Sequence, residues 1–196
     1  MQKITIQDLQ PVDDYNRNRD QYRERLYAIK EPRRVRLGDY LTFLFENRDT
    51  MLYQVQEMVR AEGLREEAAI QHEIDTYNAM IPDPFQFKVT LLIEFDDPVV
   101  REVKLRELLG LEDHVSMLID RDYQVQAEFD PTQIDADRKV SSVQFLTFNL
   151  GEKAGQAFME TDQVELLTTH PACSYRVTLT AEQREALADD LRAALK

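Results

Sequence analysis

The chain has 196 residues, 43% of them hydrophobic and 31% charged, with five glycines and seven prolines, which describes a folded globule rather than a disordered or repetitive chain. A net charge of -13 argues against general affinity for nucleic acid or acidic membranes, and no apolar run approaches the roughly 18 residues of a membrane span. The opening MQKITIQDLQ lacks the features of a signal peptide, and the lone Cys173 can make neither an internal disulfide nor a zinc site alone, so a cytoplasmic protein is expected.

The charge is unevenly placed. Up to Gly38 there are nine basic and six acidic groups, so the negative balance lies in the remainder. A cationic N-terminal segment joined to an anionic body is expected to dock on it. A landing patch for an anionic ligand is the alternative.

Lys3 to Ile6 alternates weakly and reads as a short edge strand. A helix over 11–29 carries Val12, Tyr15, Tyr22, Leu26 and Ile29 on one stripe, with Arg19 on the same side; Pro11 suits its first turn and Pro32 closes it. The run Arg33-Arg34-Val35-Arg36 then serves as a connector. From Asp39 as N-cap to Gly63 just past the end, Leu41, Leu44, Phe45, Leu52, Val55 and Val59 predict the longest helix of the chain. Opposite that stripe runs a polar line of Glu46, Thr50, Tyr53 and Glu57, with Gln54 beside it. Arg48 falls within the apolar stripe and needs a partner there, with Glu73 and Glu94 the first candidates. A second helix over 64–80 buries Ile70, Ile74, Tyr77 and Ile81 and is expected to form an antiparallel hairpin with the first.

The period changes to two at Phe85, and Phe85, Phe87, Val89, Leu91, Ile93 and Phe95 alternate as a half-buried strand. A short helix over 98–109 ends at Gly110. Val115 to Ile119 and Tyr123 to Phe129 flank the hairpin turn Asp120-Arg121-Asp122, and the second of these strands has one wet face. A loop or short helical turn covers 131–139. Ser141 to Leu150 carries apolar residues on both faces, which suggests a central strand. A weak helix spans 153–159, and two strands, 164–168 and 175–179, flank His170-Pro171. The last helix opens on a capping box of Thr180 and Gln183 and buries Leu187, Leu191 and Leu195.

Helices first and strands afterwards give an α+β order. The expected architecture is a long antiparallel helical hairpin packed on a mainly antiparallel sheet of about six strands, with a C-terminal helix. It forms a single domain, helical over 1–82 and sheet-forming over 83–196.

The motifs exclude more than they assign. His72-Glu73 resembles the start of a zinc-protease helix, but Thr76 stands where the second histidine is needed. The sequence has no glycine-rich phosphate loop, no Cys-x-x-Cys pair and no Gly-x-Ser-x-Gly. Glu46 and Glu57 on one helix, with Glu66 and Glu73 on its neighbour, could converge on a cation. Di-iron proteins add a histidine three residues after the glutamate, whereas Glu57 is followed there by Arg60 and Glu73 by Thr76. A solvated anionic face with salt bridges to arginines is the simpler reading. His170, in a loop, can act as acid, base or ligand, or as a hydrogen-bonded turn residue.

The runs Arg33-Arg34-Val35-Arg36-Leu37-Gly38, Phe45-Glu46-Asn47-Arg48 and Gln54-Val55-Gln56-Glu57-Met58 resemble a bacterial domain-of-unknown-function family, number 3501. So do Tyr77-Asn78, Ile81-Pro82, Ser141-Ser142-Val143-Gln144 and His170-Pro171. The family has no assigned activity. Its genes neighbour those of rubrerythrin-like and iron-sulfur oxidoreductase-like proteins, so the resemblance implies an accessory role beside a redox-protein partner.

Two functional expectations follow. The first is a non-catalytic accessory or binding protein without cofactor, in which Arg33, Arg34, Glu46, Arg48 and Glu57 form an ion-pair lattice. The second is a metal-binding protein or enzyme using Glu57 and Glu73, with His170 or Glu46. Arg33, Arg34, Glu46, Arg48, Gln54, Glu57, Glu73, Tyr77 and His170 are the ligand-binding candidates. Glu57 and Glu73 are the metal candidates, and no nucleic-acid or membrane partner is expected.

Overall fold

Val35 and Leu37, and after the turn Leu41, Phe43 and Phe45, alternate along the chain and are all fully buried. That period of two directs the chain into strands β1 (Arg34–Leu37) and β2 (Leu41–Glu46), not into the helix expected from Asp39 onward. The tight turn between them needs Gly38, whose φ of 66° is costly for any residue with a Cβ. The structure, a computed structural model, describes residues 1–130 and 138–195. The loop expected over 131–139 lies largely outside them.

Helix α2 (Arg48–Ala61) starts eight residues later than expected, with Asn47 in place of Asp39 as its cap. Asn47 Oδ1 accepts from the Thr50 amide while Thr50 Oγ1 accepts from the Asn47 amide, both at 3.0 Å. The expected end holds: Gly63 is left-handed, and the Leu64 amide donates back to the Val59 carbonyl at 3.0 Å. Helix α3 (Glu67–Asn78) packs on α2. The long helical hairpin is thereby corrected to two helices of 14 and 12 residues. Helix α1 (Val12–Lys30) agrees with expectation. Residues 3–6 form no strand; the Asn78 side chain holds Ile4 instead, accepting from its amide at 2.8 Å and donating to its carbonyl at 2.9 Å.

The remaining strands are β3 (Gln86–Ile93), β4 (Val115–Ile119), β5 (Tyr123–Phe129), β6 (Val143–Asn149), β7 (Val164–His170) and β8 (Cys173–Thr178). The remaining helices are α4 (Pro98–Glu107), α5 (Gly151–Glu160) and α6 (Ala181–Ala194). Among the described residues, eight strands join one antiparallel sheet in the order β1-β2-β3-β6-β5-β4-β7-β8. This replaces the expected six, because β1 and β2 come from the supposedly helical first 82 residues. The sheet curls until the β1–β2 turn at Gly38 meets the Tyr175 ring of β8, leaving a nearly closed barrel. The three-residue turn 120–122 before β5 places Asp120 and Arg121 both at positive φ, and the Asp122 amide donates back to the Ile119 carbonyl at 3.2 Å.

One core fills the concave side of the sheet. Phe43, Phe45, Val89, Leu91, Met117, Phe148 and Leu166 share it with Leu105 of α4, Phe158 of α5, and Leu187 and Leu191 of α6. Leu195, expected to extend that last stripe, is 48% exposed. A second, smaller cluster of Ile4, Met51, Val55, Val59, Ile74 and Ile81 ties the N-terminal segment to α2 and α3. Directly paired residues share a face of a sheet. The rows Thr42–Leu92–Val143, Leu44–Thr90–Phe145 and Glu46–Lys88–Thr147 therefore lie together on the outer face of β2, β3 and β6.

Candidate functional site

A cleft of about 650 Å³ opens between that outer face and the helices α2 and α3. The sheet contributes Leu44, Glu46, Thr90, Val143 and Phe145. From the helices come Met51 and Gln54 of α2 and Tyr77 of α3, with Met80 just beyond, and Lys30 and Asp130 complete the wall. Its size and mainly apolar lining match sites for small organic molecules. Val143 and Phe145 are 39% and 44% exposed, which is unusual for large apolar side chains on a central strand.

Glu46 is the polar centre of this cleft, with only 6% of its surface exposed. Its Oε1 accepts from the Thr90 hydroxyl at 2.7 Å and its Oε2 from the Thr50 hydroxyl at 2.6 Å. Thr50 is placed by the cap of α2 and Thr90 by the β2–β3 register, so the two elements meet at this carboxylate. The paired residue across the ladder, Lys88, donates to Thr147 Oγ1 at 3.0 Å instead.

Of the nine sequence candidates, Glu46, Gln54 and Tyr77 come together here. The others are placed elsewhere. Arg33 grips Asp190 of α6 through Nε and Nη2, at 2.6 and 2.9 Å, and donates to the Ile29 carbonyl. Arg34 is exposed on β1. Arg48, the first residue of α2, donates to Asp8 at 2.6 Å, so its partner is neither Glu73 nor Glu94. Glu73 is half-buried on α3.

Glu57 lies in a separate cluster. It accepts from Tyr15 Oη at 2.6 Å, from Arg19 at 2.8 and 2.9 Å, and from Arg60 at 3.0 Å. The Arg19 donors, with those of Tyr15 and Arg60, hold its carboxyl down to about 2 against the opposing effect of burial. Burial and the neighbouring Glu57 charge push the Tyr15 phenol well above its ordinary range. Among the described residues, no three His, Cys, Asp or Glu side chains gather where they could hold a metal ion.

His170 ends β7, is buried, and lies away from the cleft. Its Nδ1 accepts from the Ala172 amide at 3.1 Å, which assigns the ring proton to Nε2, and Nε2 donates to the Leu109 carbonyl at 3.0 Å. Both nitrogens are thus spent on holding the β7–β8 turn against the end of α4.

Sequence reasoning missed Thr90, Asp190, Arg19 and Tyr15 as partners. A usable signal for the cleft was present in β6, whose apolar residues on both faces include the outward-facing Val143 and Phe145. No helix among the described residues is long and apolar enough to cross a membrane.

No curated protein matches the chain. A crystal structure of a novel protein of unknown function from Burkholderia pseudomallei is similar, with a TM-score of 0.90 at 31% identity, and the match covers 97% of this chain and 100% of that one. The family model described as protein of unknown function (DUF3501) matches residues 3–191, and the chain belongs to that family.

Proposed function

We propose that this DUF3501 protein is a non-catalytic binding protein whose ligand site is the cleft between α2–α3 and the outer face of β2, β3 and β6. The observation that carries the reading is the contrast between Glu46 and the other charged candidates. Glu57 and Arg33 are each held by several partners, and Arg48 is paired with Asp8, contacts that fix one element to another. Glu46 sits in a roomy apolar cleft with hydroxyls as its partners. Because the sheet recruits strands from both halves of the sequence, the chain acts in this reading as one domain. An accessory role beside rubrerythrin-like or iron-sulfur proteins is supported by the gene neighbourhoods that the family resemblance implies.

A thermal-shift screen of small organic molecules tests the site. Ala79 lines the cleft and is exposed, so Ala79→Trp fills it from the rim without entering the core. Stabilising compounds are expected to lose their effect on the Ala79→Trp variant. Compounds that stabilise both proteins equally would place the binding surface elsewhere.

A further inference from the structure

Among the described residues, two carboxylates are more than nine-tenths buried, Glu46 and Asp190. Asp190 is neutralised by the two-pronged grip of Arg33. Glu46 has no ion pair, and its donors are the uncharged hydroxyls of Thr50 and Thr90. Removing a carboxylate from water without a counter-charge is expensive, by several kcal/mol in general. Glu46 faces outward from the β2–β3 ladder, so the core of the sheet does not call for it.

We infer that the cleft recognises an organic cation, a molecule carrying a protonated amine on an apolar body, with the ammonium seated on Glu46. This rests on the cleft being the ligand site, as proposed above. A carboxylate has about four acceptor positions, of which hydroxyl hydrogens occupy two. An ammonium supplies three donors. Thr90 Oγ1, having given its hydrogen to Glu46, presents its lone pairs to the same incoming group. The Tyr77 and Phe145 rings line the cleft, and aromatic faces favour a cation near them. Leu44, Met51, Met80 and Val143 supply the apolar wall for the rest of the molecule.

The lysines nearby do not take the place of the ligand. Lys88 faces the same way as Glu46 but bonds Thr147, and Lys30 lines the cleft without forming an ion pair with Glu46. A net charge of -13 favours approach of a cation over an anion.

Butyl-, hexyl-, octyl- and phenethylammonium, with hexanol and hexanoate as neutral and anionic comparators, test this by two-dimensional NMR titration at pH 7. Hexylammonium is expected to bind at least tenfold more tightly than hexanol, with shifts at Gln54, Tyr77 and Thr90. Glu46→Gln should abolish the preference, bringing hexylammonium binding down to the level of hexanol on the same variant. Gln54→Lys, on the half-buried face of α2, should weaken the ammonium series alone, and it answers the question should Glu46→Gln fail to fold. Alcohol and carboxylate binding as well as ammonium, blocked by Ala79→Trp, would overturn the cation specificity and leave the binding site standing. No binding by any of these probes, or binding that Ala79→Trp does not touch, would overturn both.

Discussion

Arg19 on α1 holds Glu57 on α2 through two parallel hydrogen bonds, Nε to Oε1 at 2.8 Å and Nη2 to Oε2 at 2.9 Å. Parallel bonds of this kind fix direction as well as charge. Tyr15, one turn before Arg19, donates to the same carboxylate. The cationic N-terminal segment is therefore docked on the body by named donors rather than by diffuse charge.

That docking has a pH signature. Glu57 is held down to about 2 from an ordinary 4.5, first by Arg19 and then by Tyr15 and Arg60. A carboxyl depressed in the folded state stabilises the fold above its unfolded value and loses that contribution as pH falls through its folded value. Glu57→Gln should cost about 1–2 kcal/mol at pH 7, allowing for solvent screening, and the difference should shrink between pH 4.5 and 2. Urea unfolding of both proteins at pH 7 and pH 3 measures it. An equal deficit at both values would mean that the carboxylate charge is not what matters.

Arg33 and Asp190 bind the end of α1 to α6 in a setting where each side chain is only 12% and 10% exposed. Asn47, the cap of α2, donates to the same Asp190 at 3.1 Å. Replacing Asp190 with Ala leaves the guanidinium unpaired and should cost about 3–5 kcal/mol. The double change Arg33→Met with Asp190→Leu should recover most of that loss, since apolar replacements of buried pairs are often neutral. A double-mutant cycle in urea reads both numbers. Additive losses would show that the two residues act independently.

How far the sequence discloses this molecule depends on which periodicity a stretch carries. β3 and β5 alternate cleanly, and Thr180 with Gln183 forms the expected capping box. Between Arg34 and Glu46 two patterns compete. Leu41, Leu44 and Phe45 fit a helix, while Leu41, Phe43 and Phe45 fit a strand. The outer-face Leu44 creates the ambiguity, because it packs into the cleft rather than facing water. A residue serving the site thus disguised the fold around it. Within the site, although Glu46 was expected on a helix and lies on β2, it and Gln54 were legible as polar positions and Tyr77 as part of a buried line. Thr90 was not, since its role depends on a strand register that pairs it with Leu44.

Gly38 is required twice over. Its φ is 66°, and a Cβ built there would lie 2.5 Å from the Tyr175 ring. Gly63 has a similar φ of 62° with nothing within 4 Å. Gly63→Ala should therefore cost about 1 kcal/mol, the backbone term alone, and Gly38→Ala about 2–3 kcal/mol. Pairing Gly38→Ala with Tyr175→Ala should return part of the excess. Thermal unfolding of these three variants, with Tyr175→Ala alone as the fourth, decides it. Equal losses at the two glycines would mean that Tyr175 moves aside freely and that β1 and β8 are not pressed together.

His170 follows a different logic from the residues of the cleft. With Nδ1 accepting from Ala172 and Nε2 donating to Leu109, it joins the β7–β8 turn to the end of α4. Nitrogen NMR should show the proton on Nε2. His170→Ala removes both bonds in a buried place and should cost about 1–3 kcal/mol. Ligand binding in the cleft should be unchanged, because His170 contributes nothing to its wall. A variant of unaltered stability that loses ligand binding would reverse this assignment and move the site to the other end of the sheet.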